Sequence, residues 1–214
     1  QTKAEKEAQK AIANSKKYTY EGNTALKGDK PVQAEVEYRK AIAEDKNNAT
    51  AQYNLGTMYY QQKSYDEAFS RLKNASASDK ISEDEKHRAF HNLGNAFMKK
   101  KEYEKAADYL SKALALAKDD NAKIAINASI GQCWFYKAQE RVAAVKGVLS
   151  QAARAQFNEV YNKAISYLET AKKLDVLKEQ KSSWAYPLYG CYYFVKGPQA
   201  PETLAAAADA GVQQ

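Results

Sequence analysis

Small, large and polar residues recur along this chain on a helical beat. Four stretches read small, three residues, large, two residues, small: "AEVEYRKAI" (34–42), "AFSRLKNAS" (68–76), "AADYLSKAL" (106–114) and "AISYLETAK" (164–172). That spacing puts the small and large positions on one helix face, so each stretch predicts an amphipathic helix. A second kind of stretch is marked by a glycine: "EGNTALKGD" (21–29), "LGTMYYQQK" (55–63), "LGNAFMKKK" (93–101), "IGQCWFYKA" (130–138) and "YGCYYFVKG" (189–197). Gly22 and Gly56 are 34 residues apart, Gly56 and Gly94 are 38. Glycine inside a helix costs ~1 kcal/mol relative to alanine, so its regular return needs a packing reason. Close helix–helix approach supplies one: small residues let two backbones near each other and the large ones fill the space between. One helix pair cannot bury its own apolar face, so pairs must stack.

Two departures from the period stand out. "EDEK" (83–86) lengthens the chain between the second and third pairs by four charged residues, about one helical turn. In the fourth pair, 21 extra residues fall within 138–160. They keep a helical pattern: Val142, Val145 and Leu149 recur at three to four, as do Phe157, Val160, Tyr161 and Ala164. Lys146-Gly147 reads as a helix stop and Ser150 as the next N-cap. The expectation is a helical hairpin protruding ~15 Å beyond its neighbours. At the ends, 1–14 reads as a frayed leading helix with Ala4, Ala8 and Ile12 in step, 183–197 as a fifth glycine-type helix, and about 202–210 as a short alanine helix before a loose tail.

Composition narrows the function classes. Nine glycines and four prolines in 214 residues favour long helices over tight turns. The net charge of +7 is spread along the chain and the arginines occur singly, which argues against a nucleic-acid face. No apolar run approaches the ~18 residues of a membrane span. Cys133 and Cys191 are too few for a disulfide framework and suit buried thiols. His87 and His91 have the i, i+4 spacing of a zinc pair, yet Arg88, Ala89 and Phe90 lie between them, without the glutamate of HExxH. Neither a phosphate loop nor a dinucleotide fingerprint occurs, and no nucleophile has a base in repeat register. These readings predict no enzyme, no cofactor and no metal. The chain begins Gln-Thr rather than Met, which gives the expectation of a removed leader and a periplasmic or otherwise exported protein, with the cytoplasm as alternative.

The repeated residues resemble the tetratricopeptide repeat (TPR), a 34-residue helix–turn–helix unit with A and B helices. With the glycine at position 8, position 7 is Leu55, Leu93, Ile130 and Tyr189, and position 11 is Tyr59, Phe97, Trp134 and Tyr193. Position 20 is Ala34, Ala68, Ala106 and Ala164, position 24 is Tyr38, Leu72, Leu110 and Leu168, and position 27 is Ala41, Ala75, Ala113 and Ala171. Glu21 departs from the pattern at position 7, and Lys46, Lys80 and Lys118 replace the usual proline at 32. The resemblance implies an all-α, right-handed α-solenoid of about four and a half repeats. Its divisions are a leading extension 1–14, repeats at 15–48, 49–82, 87–120 and 124–175, the last carrying the hairpin 138–160, and capping helices at 183–214.

It also implies a protein-binding concave groove lined by A-helix positions 2, 5, 9, 12 and 13. The candidates on or beside it are Asn23, Lys27, Tyr53, Asn54, Thr57, Tyr60, Arg88, His91, Asn95, Lys99, Gln132 and Tyr136, with Trp184 and Phe194 extending an apolar end. A second contact is expected on the hairpin through Arg141, Val142, Val145, Lys146, Leu149 and Arg154. The implied partner is a protein or peptide, in a non-catalytic adaptor; the alternative is a co-chaperone-like grip on an acidic C-terminal tail. Against the tail-binding pattern this chain offers Thr19, Asn23, Asn54, Arg88 and Asn92, matching the asparagines and losing two of three cations. "YNLGTMYYQQKSYDEA" and "HNLGNAFMKKKEYEKA" resemble the TPR proteins of the Bacteroides aerotolerance (Bat) group, which implies a bacterial envelope assembly.

Overall fold

The computed structural model describes residues 1–213. Among them are ten α-helices and no strand: α1 (Lys3–Lys27), α2 (Pro31–Glu44), α3 (Ala49–Gln61), α4 (Tyr65–Ser76), α5 (Glu83–Lys99), α6 (Tyr103–Leu116), α7 (Asp120–Ala143), α8 (Gln151–Leu174), α9 (Lys181–Lys196) and α10 (Pro201–Ala210). The fold is all-α, built of antiparallel helix pairs. They form two compact units, one of residues 1–96 and one from Phe97 onward.

In the first unit α1 pairs with α2 and α3 with α4. The alternation of small and large residues does the work expected of it. Ala34, Tyr38, Ala41, Ala68, Leu72 and Ala75 are all 0% exposed. A methyl group at Gly56 would lie 2.7 Å from Leu72 Cγ, so only glycine admits this approach. Asn48 joins the pairs. Its Oδ1 accepts from Ala51 N and caps α3, while its Nδ2 donates to Ser15 Oγ and Thr19 Oγ1 on α1. The division between a leading 1–14 and a repeat starting at 15 has no counterpart. α1 runs unbroken from Lys3 to Lys27, and its start is closed by a Thr2–Glu5 capping box rather than frayed.

The second unit centres on α7 and α8, each 24 residues long. The additional 21 residues lengthen both helices as expected, but Val145 and Leu149, read as continuing the helical period, lie in the loop between them. α7 stops at Ala143, three residues before Lys146-Gly147, and Ser150 caps α8. Gly131 packs on Leu168, repeating the Gly56–Leu72 contact. Cys133 and Cys191 are both buried free thiols. α9 packs on both α7 and α8, and α10 on α9. Asp209 fastens α10 by accepting ion pairs from Lys172 of α8 (3.1 Å) and Lys178 (3.0 Å).

Candidate functional site

In the first unit a polar face runs along α1 and α3. Asn23 Oδ1 accepts from both Tyr38 Oη (2.6 Å) and Asn54 Nδ2 (2.9 Å). These three residues, with Leu26 and Lys27, line a cavity of about 300 Å³. Lys27 is exposed, and Asn23 and Asn54 are half-buried, so a charged head group stands beside fixed amides. A second cavity, about 420 Å³, is lined by Ile12, Lys16, Thr19, Asn48, Thr50 and Lys80 among others. Tyr60 and Asn95 share a hydrogen bond, and burial outweighs it to raise the Tyr60 phenol above its ordinary pKa. Burial, seconded by His87, lowers the His91 imidazole, so it is neutral at pH 7. The His87 and His91 rings are 6.2 Å apart. Arg88 is exposed.

Not every predicted position is available here. Tyr53 is buried at 9% exposure. Thr57 is half-buried, and its Oγ1 is buried without a hydrogen-bond partner. Thr19 is buried and its hydroxyl is used by Ser15 O and Asn48.

The second unit corrects the repeat register at its last A-type helix. Alignment on Gly190 makes Tyr189, Gly190 and Tyr193 the packing positions 7, 8 and 11. In the structure those roles belong to Trp184, Ala185 and Leu188, which are 0%, 2% and 0% exposed. Gly190 instead abuts Phe135 of α7, where an added methyl would lie 2.7 Å from the ring. A hydrogen bond confirms the shift. Asn54, two residues before its glycine, donates to Asn23 on the previous A helix; Gln132 Nε2 donates to the carbonyl of Ser183, two residues before Ala185, at 2.6 Å. Pro187 explains why that carbonyl is free. Proline has no N–H to bond the residue four before it, and Gln132 takes the vacant acceptor.

The shift of five residues changes the surface. Trp184 lies in the core, its Nε1 donating to Asp175 Oδ2 at 2.9 Å, and does not extend a groove. Phe194 is half-buried against Tyr161, ring centroids 4.5 Å apart. Gln132 is spent on Ser183. What α9 presents instead is Tyr186, Tyr189 and Tyr193, the first and last 61% and 50% exposed. Tyr136 of α7 is 38% exposed and Lys99 is exposed. Sequence reasoning missed this stripe because the glycine signal was stronger than the Trp-Ala pair.

At the hairpin, Val142, Val145 and Leu149 pack against the core of the second unit instead of standing free. Arg141 lies 4.0 Å from Glu104, and the Arg154 guanidinium sits over the Phe194 ring at 5.2 Å. Lys146 is exposed, and the most exposed apolar side chain of the hairpin is Val148, at 97%.

Residues 47–119 match the tetratricopeptide repeat family. The type IV pilus assembly protein PilF of Pseudomonas aeruginosa (strain PAO1) is 36% identical over 89 residues, 42% of this chain and 34% of that protein. The chain therefore spans about a third of the length of this curated relative. Among solved structures it is similar to YrrB, described as a TPR protein with an unusual peptide-binding site. The TM-score is 0.67 at 20% identity, over 96% of this chain and 92% of that one. It is also similar to MamA from Desulfovibrio magneticus RS-1, with a TM-score of 0.62 at 17% identity, over 92% and 90% of the two chains. These likenesses place the fold among TPR-type helical solenoids. TPR proteins generally mediate protein–protein interaction.

Proposed function

We propose that this protein is a non-catalytic adaptor that holds a partner segment on the exposed faces of its A-type helices, in a bacterial envelope assembly. The observation that carries the reading is the Asn23–Tyr38–Asn54 cluster beside Lys27. Amide groups fixed by mutual hydrogen bonds, next to an exposed cation and a cavity of about 300 Å³, make a preorganised set of donors for the carbonyls and carboxylates of an extended segment. The envelope setting draws support from the bacterial pilus-assembly relative. The hairpin 138–160 serves as a second contact in this reading, through Lys146 and its tip.

The test is affinity capture from the envelope fraction of the source cell with the wild-type chain, Lys27→Glu with Asn54→Ala, and a deletion of 141–157. A partner retained by the wild type and lost with the Lys27 and Asn54 changes supports the polar face. Identical capture by all three sinks both contacts. A second reading, capture of an acidic C-terminal tail, is favoured by Lys27 and Arg88. It predicts that a synthetic peptide ending in two glutamates, valine and aspartate binds, and that amidating its C-terminus abolishes binding.

A further inference from the structure

The tyrosine stripe of α9 has a chemistry of its own. In the corrected register Tyr186, Tyr189 and Gly190 occupy positions 9, 12 and 13, equivalent to Gln132, Phe135 and Tyr136 of α7. Successive ring centroids on α9 are 6.4 Å (Tyr186–Tyr189) and 5.9 Å (Tyr189–Tyr193) apart, with planes inclined at 51° and 65°. Inclined rings at that spacing leave two shallow notches rather than a flat stack. No described residue takes up the three hydroxyls. Gly190 lies among the three rings, and the exposed Lys196 at the C-terminal end of the stripe is ion-paired with Glu202 at 2.7 Å.

From this geometry we infer that the outer face of α9 binds an uncharged proline-rich segment in the polyproline II conformation. The inference deepens the proposed adaptor reading by naming the chemistry of one partner segment. Polyproline II rises about 3.1 Å per residue, so two residues advance about one ring spacing of the stripe. Pyrrolidine rings seat in notches between aromatic rings at low entropic cost, because the ligand is already extended. A polyproline backbone carries carbonyls without neighbouring N–H groups, and three unpaired phenol donors match those acceptors. With Lys196 already paired to Glu202, the tyrosine rings offer an acidic tail no counter-charge. Area disfavours a second copy of the chain: a wholly covered aromatic side chain buries about 150–250 Å², and three partly covered ones fall short of the ~800 Å² per partner of a stable complex.

The experiment titrates the full chain with decaproline by calorimetry, alongside a glycine–serine decapeptide and a glutamate-rich decapeptide. Decaproline is expected to bind and the other two not. Tyr186→Ala with Tyr193→Ala should weaken binding by about tenfold or more, the scale of losing an interface aromatic. Both side chains are at least half exposed, so tryptophan emission should be unchanged and the thermal midpoint should fall by no more than a few degrees, about 4 °C per kcal/mol. Tyr186→Phe with Tyr193→Phe keeps the rings and should lose only the hydroxyl share. No decaproline binding, equal binding of the glycine–serine peptide, or undiminished binding by the alanine pair overturns the inference. So does sedimentation showing a dimer that the alanine pair dissociates. If decaproline fails while envelope capture still depends on Lys27 and Asn54, this inference falls and the adaptor reading stands.

Discussion

The register of α9 can be tested by one pair of substitutions, Leu188→Ala and Tyr193→Ala. Aligned on Gly190, Tyr193 is the core residue at position 11 and Leu188 is not. In the structure Leu188 is 0% exposed and Tyr193 is 50% exposed. Truncating a fully buried leucine removes its transfer free energy and leaves a cavity, typically 2–5 kcal/mol in total. Half of the Tyr193 side chain is already in water, so its loss should cost no more than about 1 kcal/mol. Urea unfolding followed by tryptophan emission is the appropriate assay, since both tryptophans, Trp134 and Trp184, belong to the unit from Phe97 onward. With a urea slope of about 2 kcal/mol per molar, a loss of ~3 kcal/mol lowers the midpoint by about 1.5 M. Leu188→Ala should show that shift and Tyr193→Ala about a third of it or less. Equal shifts, or a larger one for Tyr193→Ala, would refute the corrected register and with it the exposed stripe.

Gly131→Ala should destabilise the second unit by about 1–3 kcal/mol despite alanine's better helix propensity, because the new methyl meets Leu168 Cγ at 2.5 Å. Gly28→Ala, whose nearest atoms lie at 3.5 Å, is the control and should leave the melting temperature unchanged within error. Burial acts to raise the Asp209 carboxyl pKa, but Lys178 and Lys172 together pull it below its ordinary value. A depressed carboxylate contributes stability that is present above the unfolded pKa of ~3.9 and lost as pH falls through the lower folded value. The gap in melting temperature between wild type and Asp209→Asn should therefore be open at pH 7 and close as the medium is acidified below pH 4. Burial pushes the Cys133 thiol up to about 12 and raises Cys191 as well. Neither should react with a chromogenic disulfide reagent at about pH 8 in the native protein, and both should react in urea; fast native labelling would show that one is accessible.

Much of the fold was legible because its signal is local and repeated. Ala-x3-Tyr-x2-Ala at 34–41 or Ala-x3-Leu-x2-Ala at 68–75 specifies both a helix and the face it buries, and each copy reinforces the others. The candidate site was legible only in part. Asn23, Asn54 and Lys27 follow from repeat position, and the structure brings them to one cavity. Tyr53 and Gln132 occupy comparable positions, yet burial and the Ser183 bond withdraw them. Repeat position tells which way a side chain points along a helix, and it says nothing of what a neighbouring helix brings against it.

By itself, the sequence determined the helices, their pairing and the extended fourth hairpin, because periodicity and close-packing residues act over a few turns of one chain. Only the tertiary structure decided which face of α9 is core. "WAYPLYGCYY" offers two small residues, Ala185 and Gly190, each able to admit a neighbouring helix. The choice between them rests on contacts far apart in sequence. Phe135 fills the space beside Gly190, Asp175 takes the Trp184 indole N–H, and Gln132 takes the carbonyl that Pro187 leaves open. Together they turn Tyr193 from a predicted packing residue into a solvent-facing one, in line with the exposed Tyr186.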